Sequence, residues 1–377
     1  MATTDTAFVH GPARAPYADD AVAEPLVLST TFLRGADGSY PAQGYSYARD
    51  ANPNRSELEA RMALLEGGVD AAAFASGMAA AVAPFQTLTP GDHVVVAEDS
   101  YYGVRETLRT HFTGWGLRVS LVDASDLDAL AGALEERTRL VFVESPSNPM
   151  LRVCDLTAIA ALAHRVGALL ICDNTLATPV FQRPLALGAD LVVHATTKYV
   201  SGHSDTQGGV IVCAERTPRW EAVRSLQKAL GAIPSPFTCW LSSRGLATLP
   251  VRMRQQSASA LRLAELLSAH PAVERVLHPL LPDNPERALA LRQMSGAGAV
   301  FSFCVRGEER DAMRVAAAVT LFQRATSFGG PESLIEHRAS VEAPGTKTPR
   351  TLLRLAIGLE DVDDLWADLR NALETNG

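Results

Sequence analysis

The stretch ADLVVHATTKYVSGHSD, residues 189–205, opens on a short apolar run from Ala189 to His194 and reaches a single lysine, Lys198, four residues later. The run has the length and composition of a strand buried on both faces. The lysine sits among small and hydroxylated neighbours. Such a residue has two readings: a solvated amine on a loop, or an amine placed to condense with a carbonyl cofactor. The surrounding chain decides between them.

Working outward, the same pattern repeats. AAAF (71–74), HVVVA (93–97), LRVSLVD (117–123), RLVFVE (139–144), ALLICD (168–173) and GGVIVC (208–213) read as strands. Helical periodicity lies between them. Leu58, Met62 and Leu65 share one face of a helix that starts after NPN and ends at Gly67-Gly68. Leu127, Leu130 and Leu134 share a face of another, capped by Ser125, and Asp155 caps a third over DLTAIAALAHRVG. Apolar strands alternating with amphipathic helices imply an α/β fold with a mostly parallel sheet covered on both faces. Beyond Ser235 the pattern changes to a long helical stretch from Trp240 toward His270, then shorter mixed segments. A final helix carries the stripe Val362, Leu365, Trp366, Leu369 and Leu373. The first fifty residues show no sustained period and read as an extended arm. The expected organisation is an arm (1–50), a large α/β domain (51–240) and a smaller C-terminal α+β domain (241–377).

Composition narrows the function. The chain of 377 residues is 47% hydrophobic and 20% charged, ordinary for a globular enzyme with ample core. A net charge of -8 without a basic block argues against nucleic acid as partner. The five cysteines form no CxxC pair and read as free thiols of a reducing compartment. The N-terminal twenty residues lack the layout of a secretory signal, and no apolar run reaches the roughly 18 residues of a membrane span. A cytoplasmic enzyme is expected. No GxGxxG follows any strand, which disfavours a nicotinamide dehydrogenase, and no HExxH or clustered spacing suggests a metal.

In parallel α/β sheets, ligands bind beyond the carboxyl ends of the strands. There the sequence places Ser76-Gly77-Met78 opening a helix, Tyr102 in EDSYYG, Asn148 in ESPSNP, Asp173 in DNTLATP, and Thr197-Lys198. Free N–H groups at a helix start suit a phosphate. With an aromatic platform, a carboxylate and an amine, the set meets the needs of pyridoxal phosphate.

These motifs, with YSYARDANPNR (45–55), FASGMAA (74–80), TTKYVSGHSD (196–205) and TSFGGPESLIEH (326–337), resemble the PLP-dependent enzymes of cysteine and methionine metabolism, which include the cystathionine synthases and lyases. The resemblance runs from LSTTF at Leu28 to RLAIGLED near the C-terminus. It implies the aspartate-aminotransferase-like fold (fold type I) and a homotetramer built from catalytic dimers. Residue by residue it implies Lys198 as the Schiff-base lysine and Asp173 as partner of the pyridine nitrogen. Tyr102 would stack on the ring and move protons. Gly77, Met78 and Thr197 would hold the phosphate, and Tyr47 and Arg49 would reach the phosphate of the neighbouring subunit. Arg354 would clamp the substrate α-carboxylate, with Ser327, Thr326 and Asn148 lining the same pocket. The implied chemistry is γ-elimination of the cystathionine γ-lyase kind on a sulfur- or oxygen-substituted homoserine. The alternatives are γ-replacement, as in a cystathionine γ-synthase or O-acylhomoserine sulfhydrylase, and methionine γ-lyase or cystathionine β-lyase chemistry.

Three positions depart from the family pattern. Thr326 stands where resembling γ-lyases and γ-synthases often carry glutamate. It offers no charge to a distal ammonium, so a homoserine ester or simple γ-thioether is expected to be preferred over cystathionine. Val104-Arg105 replaces the usual Gly-Thr or Cys-Thr, and Arg105 is either a solvated side chain or faces an anionic substrate end. Ala195 stands where the family often has a phosphate-binding serine, which Thr196 replaces only if the loop turns it inward.

Overall fold

Residues 4–12, 21–40, 44–342 and 347–374 of the chain are described by a computed structural model. The central sheet has seven strands: β1 (Asp70–Phe74), β2 (His93–Ala97), β3 (Arg118–Val122), β4 (Thr138–Glu144), β5 (Leu169–Asp173), β6 (Leu191–His194) and β7 (Gly209–Cys213). Their order is β1-β7-β6-β5-β4-β2-β3. All neighbouring pairs from β3 through β6 are parallel, whereas β7 runs against both β6 and β1. The apolar runs form strands because the sheet is covered on both faces: β2 and β7 are buried throughout. The fold is α/β, of the mostly parallel kind.

A second sheet of five strands follows: β8 (Val273–Leu277), β9 (Val300–Val305), β10 (Gln323–Arg324), β11 (Leu334–His337) and β12 (Leu352–Ala356), in the order β10-β11-β12-β9-β8. Only the β10–β11 pair is parallel. One buried cluster runs between the two sheets, joining Tyr199 and Val200 beyond β6 to Phe301 on β9 and Leu355 on β12. The Tyr199 hydroxyl accepts the Ala299 N–H at 3.2 Å, so the loop that carries Lys198 is seated on the second sheet.

Local chemistry explains the helix limits. Asn52 accepts the N–H groups of Asn54 and Arg55 at the start of helix Pro53–Glu66, and Gly67 closes it with φ 76°. Asp155 caps helix Leu156–Arg165 through Ala158, as read from sequence.

Three expectations change. The cap of helix Leu127–Ala133 is Asp126 rather than Ser125, whose hydroxyl is held by Asp123 at 2.6 Å. The helical stretch after Ser235 is two helices, Pro236–Leu246 and Leu249–Ser268. Pro250 cannot donate backward and its ring would strike the carbonyl of residue 246, so a continuous helix is broken there. The arm is not wholly extended: Thr4–His10 is a helix that buries Phe8 against Leu58, Met62 and Leu263. Seven residues are too few to show a period in sequence. Residues 1–3, 13–20 and 41–43 of the arm lie outside the described residues.

Candidate active site

The carboxyl ends of β1, β4, β5 and β6 open on a cavity of about 420 Å³. Gly77, Met78, Tyr102, Asn148, Asp173, Thr197, Lys198, Thr326, Ser327 and Arg354 all line it. Tyr47 and Arg49 do not. They stand about half exposed on the surface, where Arg49 donates to the Lys228 carbonyl at 2.9 Å.

Lys198 Nζ donates to Ser327 Oγ at 2.7 Å and lies 4.9 Å from the centre of the Phe328 ring. Burial, and then the nearby Arg354 charge, bring its pKa down to about 8. Ser327 holds φ at 89°, an uncommon backbone for a non-glycine residue. Gly329, at φ 95°, explains the glycine pair that follows: a Cβ there would lie 2.6 Å from the Tyr199 nitrogen.

Asp173 ends β5. Its Oδ1 accepts both the N–H of Thr175 at 2.9 Å and the hydroxyl of Thr175 at 2.5 Å. Burial nevertheless raises its pKa. Glu144 pairs in register with Asp173 at the end of β4 and accepts the Tyr101 N–H at 2.7 Å. Burial first, and then Asp173, push the Glu144 carboxyl well up. Two acids therefore share the floor of one cavity.

Gly77 and Met78 begin a short helix whose cap, Ser76, accepts the Ala79 N–H at 3.1 Å. Among the described residues their own N–H groups meet no acceptor. A Cβ on Gly77 would come 2.7 Å from the Ala195 Cβ, so glycine lets this turn pack on the loop after β6. Thr197 Oγ1 accepts the Gly208 N–H at 3.1 Å and donates to the Gly208 carbonyl at 3.2 Å. Thr196 is buried and not on the cavity wall, so it does not take the place of the hydroxyl missing at Ala195.

Arg354, on β12, is 3% exposed. It donates to the Ser327 carbonyl at 2.9 Å and to Asn148 at 3.3 Å, and lies 2.7 Å from Glu336 on β11. Burial lowers its pKa to about 10, still far above neutrality. Glu144, Glu336 and Arg338 were not anticipated as wall residues. Their signal was present as charges at the ends of apolar strands, in RLVFVE and LIEHR.

A second cavity of about 440 Å³ adjoins the first and shares Tyr102, Asn148 and Glu342 with it. Arg105 lines this one, with its Nε donating to the Ser100 carbonyl at 2.8 Å. Carboxylates line it too: Glu98, Asp99, Asp123 and Glu342. Arg152 and Lys347 line it as well, and three of the four acids are already paired: Asp123 with Arg152 at 3.6 Å, Glu98 with Lys347 at 2.8 Å and Glu342 with Arg338 at 3.0 Å.

A family model described as Cys/Met metabolism PLP-dependent enzyme matches residues 5–374. The chain belongs to that family. It is 43% identical to the cystathionine gamma-synthase of Mycobacterium tuberculosis (strain ATCC 25618 / H37Rv) over 374 residues, 98% of this chain and 96% of the relative. It is 40% identical to the cystathionine gamma-lyase of Dictyostelium discoideum over 377 residues, covering 98% and 97%. The crystal structure of metB from Corynebacterium glutamicum superposes with a TM-score of 0.96 at 39% identity, covering 99% and 98% of the two chains. This Cys/Met metabolism enzyme therefore has the fold of its relatives, and is a PLP-dependent enzyme of the trans-sulfuration kind acting on an amino acid.

The residues present fit pyridoxal phosphate. Two backbone N–H groups without an acceptor, a buried carboxyl, an amine of lowered pKa and an aromatic side chain meet in one cavity. Among the described residues no group of three His, Cys, Asp or Glu side chains is placed to hold a metal ion, and no helix is long and apolar enough to cross a membrane.

Proposed function

We propose that this enzyme expels the γ substituent of a homoserine-type amino acid, and that its second cavity admits a thiol-bearing amino acid, so that elimination passes into replacement. The carrying observation is that second cavity, which shares Tyr102, Asn148 and Glu342 with the first and is lined by cations (Arg105, Arg152, Lys347) as well as carboxylates. A zwitterion needs both signs. Elimination alone, of the cystathionine γ-lyase kind, uses the same residues and differs in what occupies the outer cavity.

Bound pyridoxal phosphate supplies an electron sink for the charge left when a Cα proton is removed. Asp173 holds the proton on the pyridine nitrogen. Gly77 and Met78 give N–H groups to the phosphate. Thr197 would turn its hydroxyl proton from the Gly208 carbonyl to the phosphate while still accepting the Gly208 N–H. Arg354 grips the α-carboxylate with its planar fork. Lys198, whose lowered pKa of about 8 makes its amine easier to free of a proton than an ordinary lysine, takes the Cα proton and carries protons onward. Tyr102, on the cavity wall, would lie against the cofactor ring and pass a proton to the departing group. Thr326 and Ser327 border the substrate side chain. A panel of O-acetylhomoserine, O-succinylhomoserine and cystathionine, each with and without cysteine, tests the reading. Thioether formation in the presence of cysteine is the expected result. Keto acid and ammonia from cystathionine, unaffected by cysteine, would reduce it to a lyase.

The same proposal makes the site shared between subunits of a catalytic dimer, two of which form a tetramer in the cytoplasm. Division of the chain at about residues 50 and 240 into arm, cofactor domain and C-terminal domain goes with it. Its support is the arm, which leaves Leu28 66% and Leu33 90% exposed and keeps Tyr47 and Arg49 away from the chain's own cavity. Arg49→Ala should weaken cofactor binding by about 1.5–3 kcal/mol, the scale of a charge-assisted bond. Mixing Arg49→Ala chains with Lys198→Ala chains should then restore activity, because a hybrid dimer holds one site with both residues. No recovery on mixing would place Arg49 in its own subunit's site or nowhere near one.

A further inference from the structure

The cavity wall holds a second arginine that none of these roles uses. Glu336 lies on β11 and Arg338 follows just past its end; they are 7% and 8% exposed. Arg338 Nη1 donates to Glu336 Oε2 at 2.9 Å, and its Nη2 to Glu342 Oε1 at 3.0 Å. The same Glu336 oxygen is the one 2.7 Å from Arg354 Nη2. Thr348 donates to the other Glu342 oxygen at 2.8 Å. Arg338 Nε is buried and has no acceptor among the described residues. All four charged side chains line the cavity, and their formal charges cancel.

A cluster held together for folding alone gains little from burying two arginines against two glutamates, since the desolvation cost rivals the attraction. Its arrangement has a consequence for binding. Arg354 Nη2 is already committed to the Ser327 carbonyl and to Glu336. An incoming carboxylate at Arg354 therefore meets Glu336 as a like charge a few ångström away, in a site poorly screened by water. Arg338 shares that Glu336 oxygen. We propose that Arg338 is a positioning residue for substrate binding: it shares the Glu336 oxygen with Arg354 and cancels its charge, so that Arg354 faces the substrate's α-carboxylate without an uncompensated like charge beside it. Without Arg338 the cluster carries Glu336 and Glu342 against Arg354 alone, a net negative charge beside an anion. The inference rests on the reading of Arg354 as the carboxylate clamp.

Binding to the holoenzyme separates the two claims. L-2-aminobutyrate is a four-carbon amino acid without a leaving group, and 1-aminopropane is the same chain without the carboxylate. Arg338→Gln should lose about 10-fold in affinity for L-2-aminobutyrate, the order expected for one unmatched charge nearby, and about nothing for 1-aminopropane. Glu336→Gln combined with Arg338→Gln should return most of the loss, because the repelling charge leaves with its partner. Arg338→Lys keeps the charge and should stay within about threefold of wild type. That variant carries the test if Arg338→Gln does not fold, and a carboxylate-selective loss of about 10-fold in it would overturn the charge argument. Equal losses for both ligands, no loss for either, or no recovery in the double variant would also overturn it. Arg354→Gln is the control. If it too fails to discriminate between the ligands, the clamp reading itself fails, and this inference with it.

Discussion

Lys198→Ala should lower turnover by at least about 10³-fold, the scale of a lost nucleophile and general base together. The loss follows from geometry as much as from chemistry. Among the wall residues of the inner cavity, Lys198 is the only lysine, and it is anchored on Ser327 at 2.7 Å. The visible absorbance band of the bound cofactor should be lost or displaced in the same variant, measured on protein purified with excess cofactor. Multiple-turnover activity near that of wild type would remove Lys198 from the centre of the site. A pH measurement bears on the same residue. With a pKa near 8, the amine sheds its proton as pH rises through that value. The rate at which apoprotein takes up the cofactor should therefore climb with pH up to about 8 and then level. A rate still climbing through the ordinary lysine range would mean that the amine is not buried as described.

Asp173→Asn should cost roughly 3–5 kcal/mol of transition-state stabilisation, the scale of breaking a buried ion pair, and thus about 10²- to 10⁴-fold in kcat/KM. The substitution keeps shape and can keep the Thr175 bonds, so the protein should fold. It removes the negative charge that holds a proton on the pyridine nitrogen. Burial raises the Asp173 carboxyl only while no cation faces it; a cationic partner brings it back down. Glu144, in register beside it, is itself pushed well up and so is a poor substitute for that charge. Activity of Asp173→Asn within about threefold of wild type would show that the nitrogen needs no anionic partner, or that Glu144 provides one.

The site was legible in unequal parts. Gly77, Asp173 and Lys198 could be found without coordinates because each follows a strand, and the strands are announced by apolar runs only five or so residues long. The carboxyl-end rule for parallel sheets then gathers them. Arg354 was reached only through the family resemblance, since nothing local marks an arginine on an apolar strand as facing a cavity. Glu336 and Arg338 were missed for a related reason. Charges at a strand end read as solvent-facing, and only the packing of the second sheet against the loop after β6 turns them inward. The helix at Thr4–His10 was missed because two turns do not make a period.

Local pattern was therefore sufficient for the α/β class, the order of the strands along the chain and the identity of the residues at their ends. Side-chain period and backbone hydrogen bonding are properties of neighbouring residues. The electrostatics of the site came only with tertiary structure. Lys198 meets Ser327 across 129 residues of chain, and Arg354 meets Asn148 across 206. The lowered pKa of Lys198, the raised carboxyls of Asp173 and Glu144 and the cancelled charge around Glu336 all arise from burial and from partners brought in over such distances, and charge energies depend on distance and dielectric rather than on position in sequence.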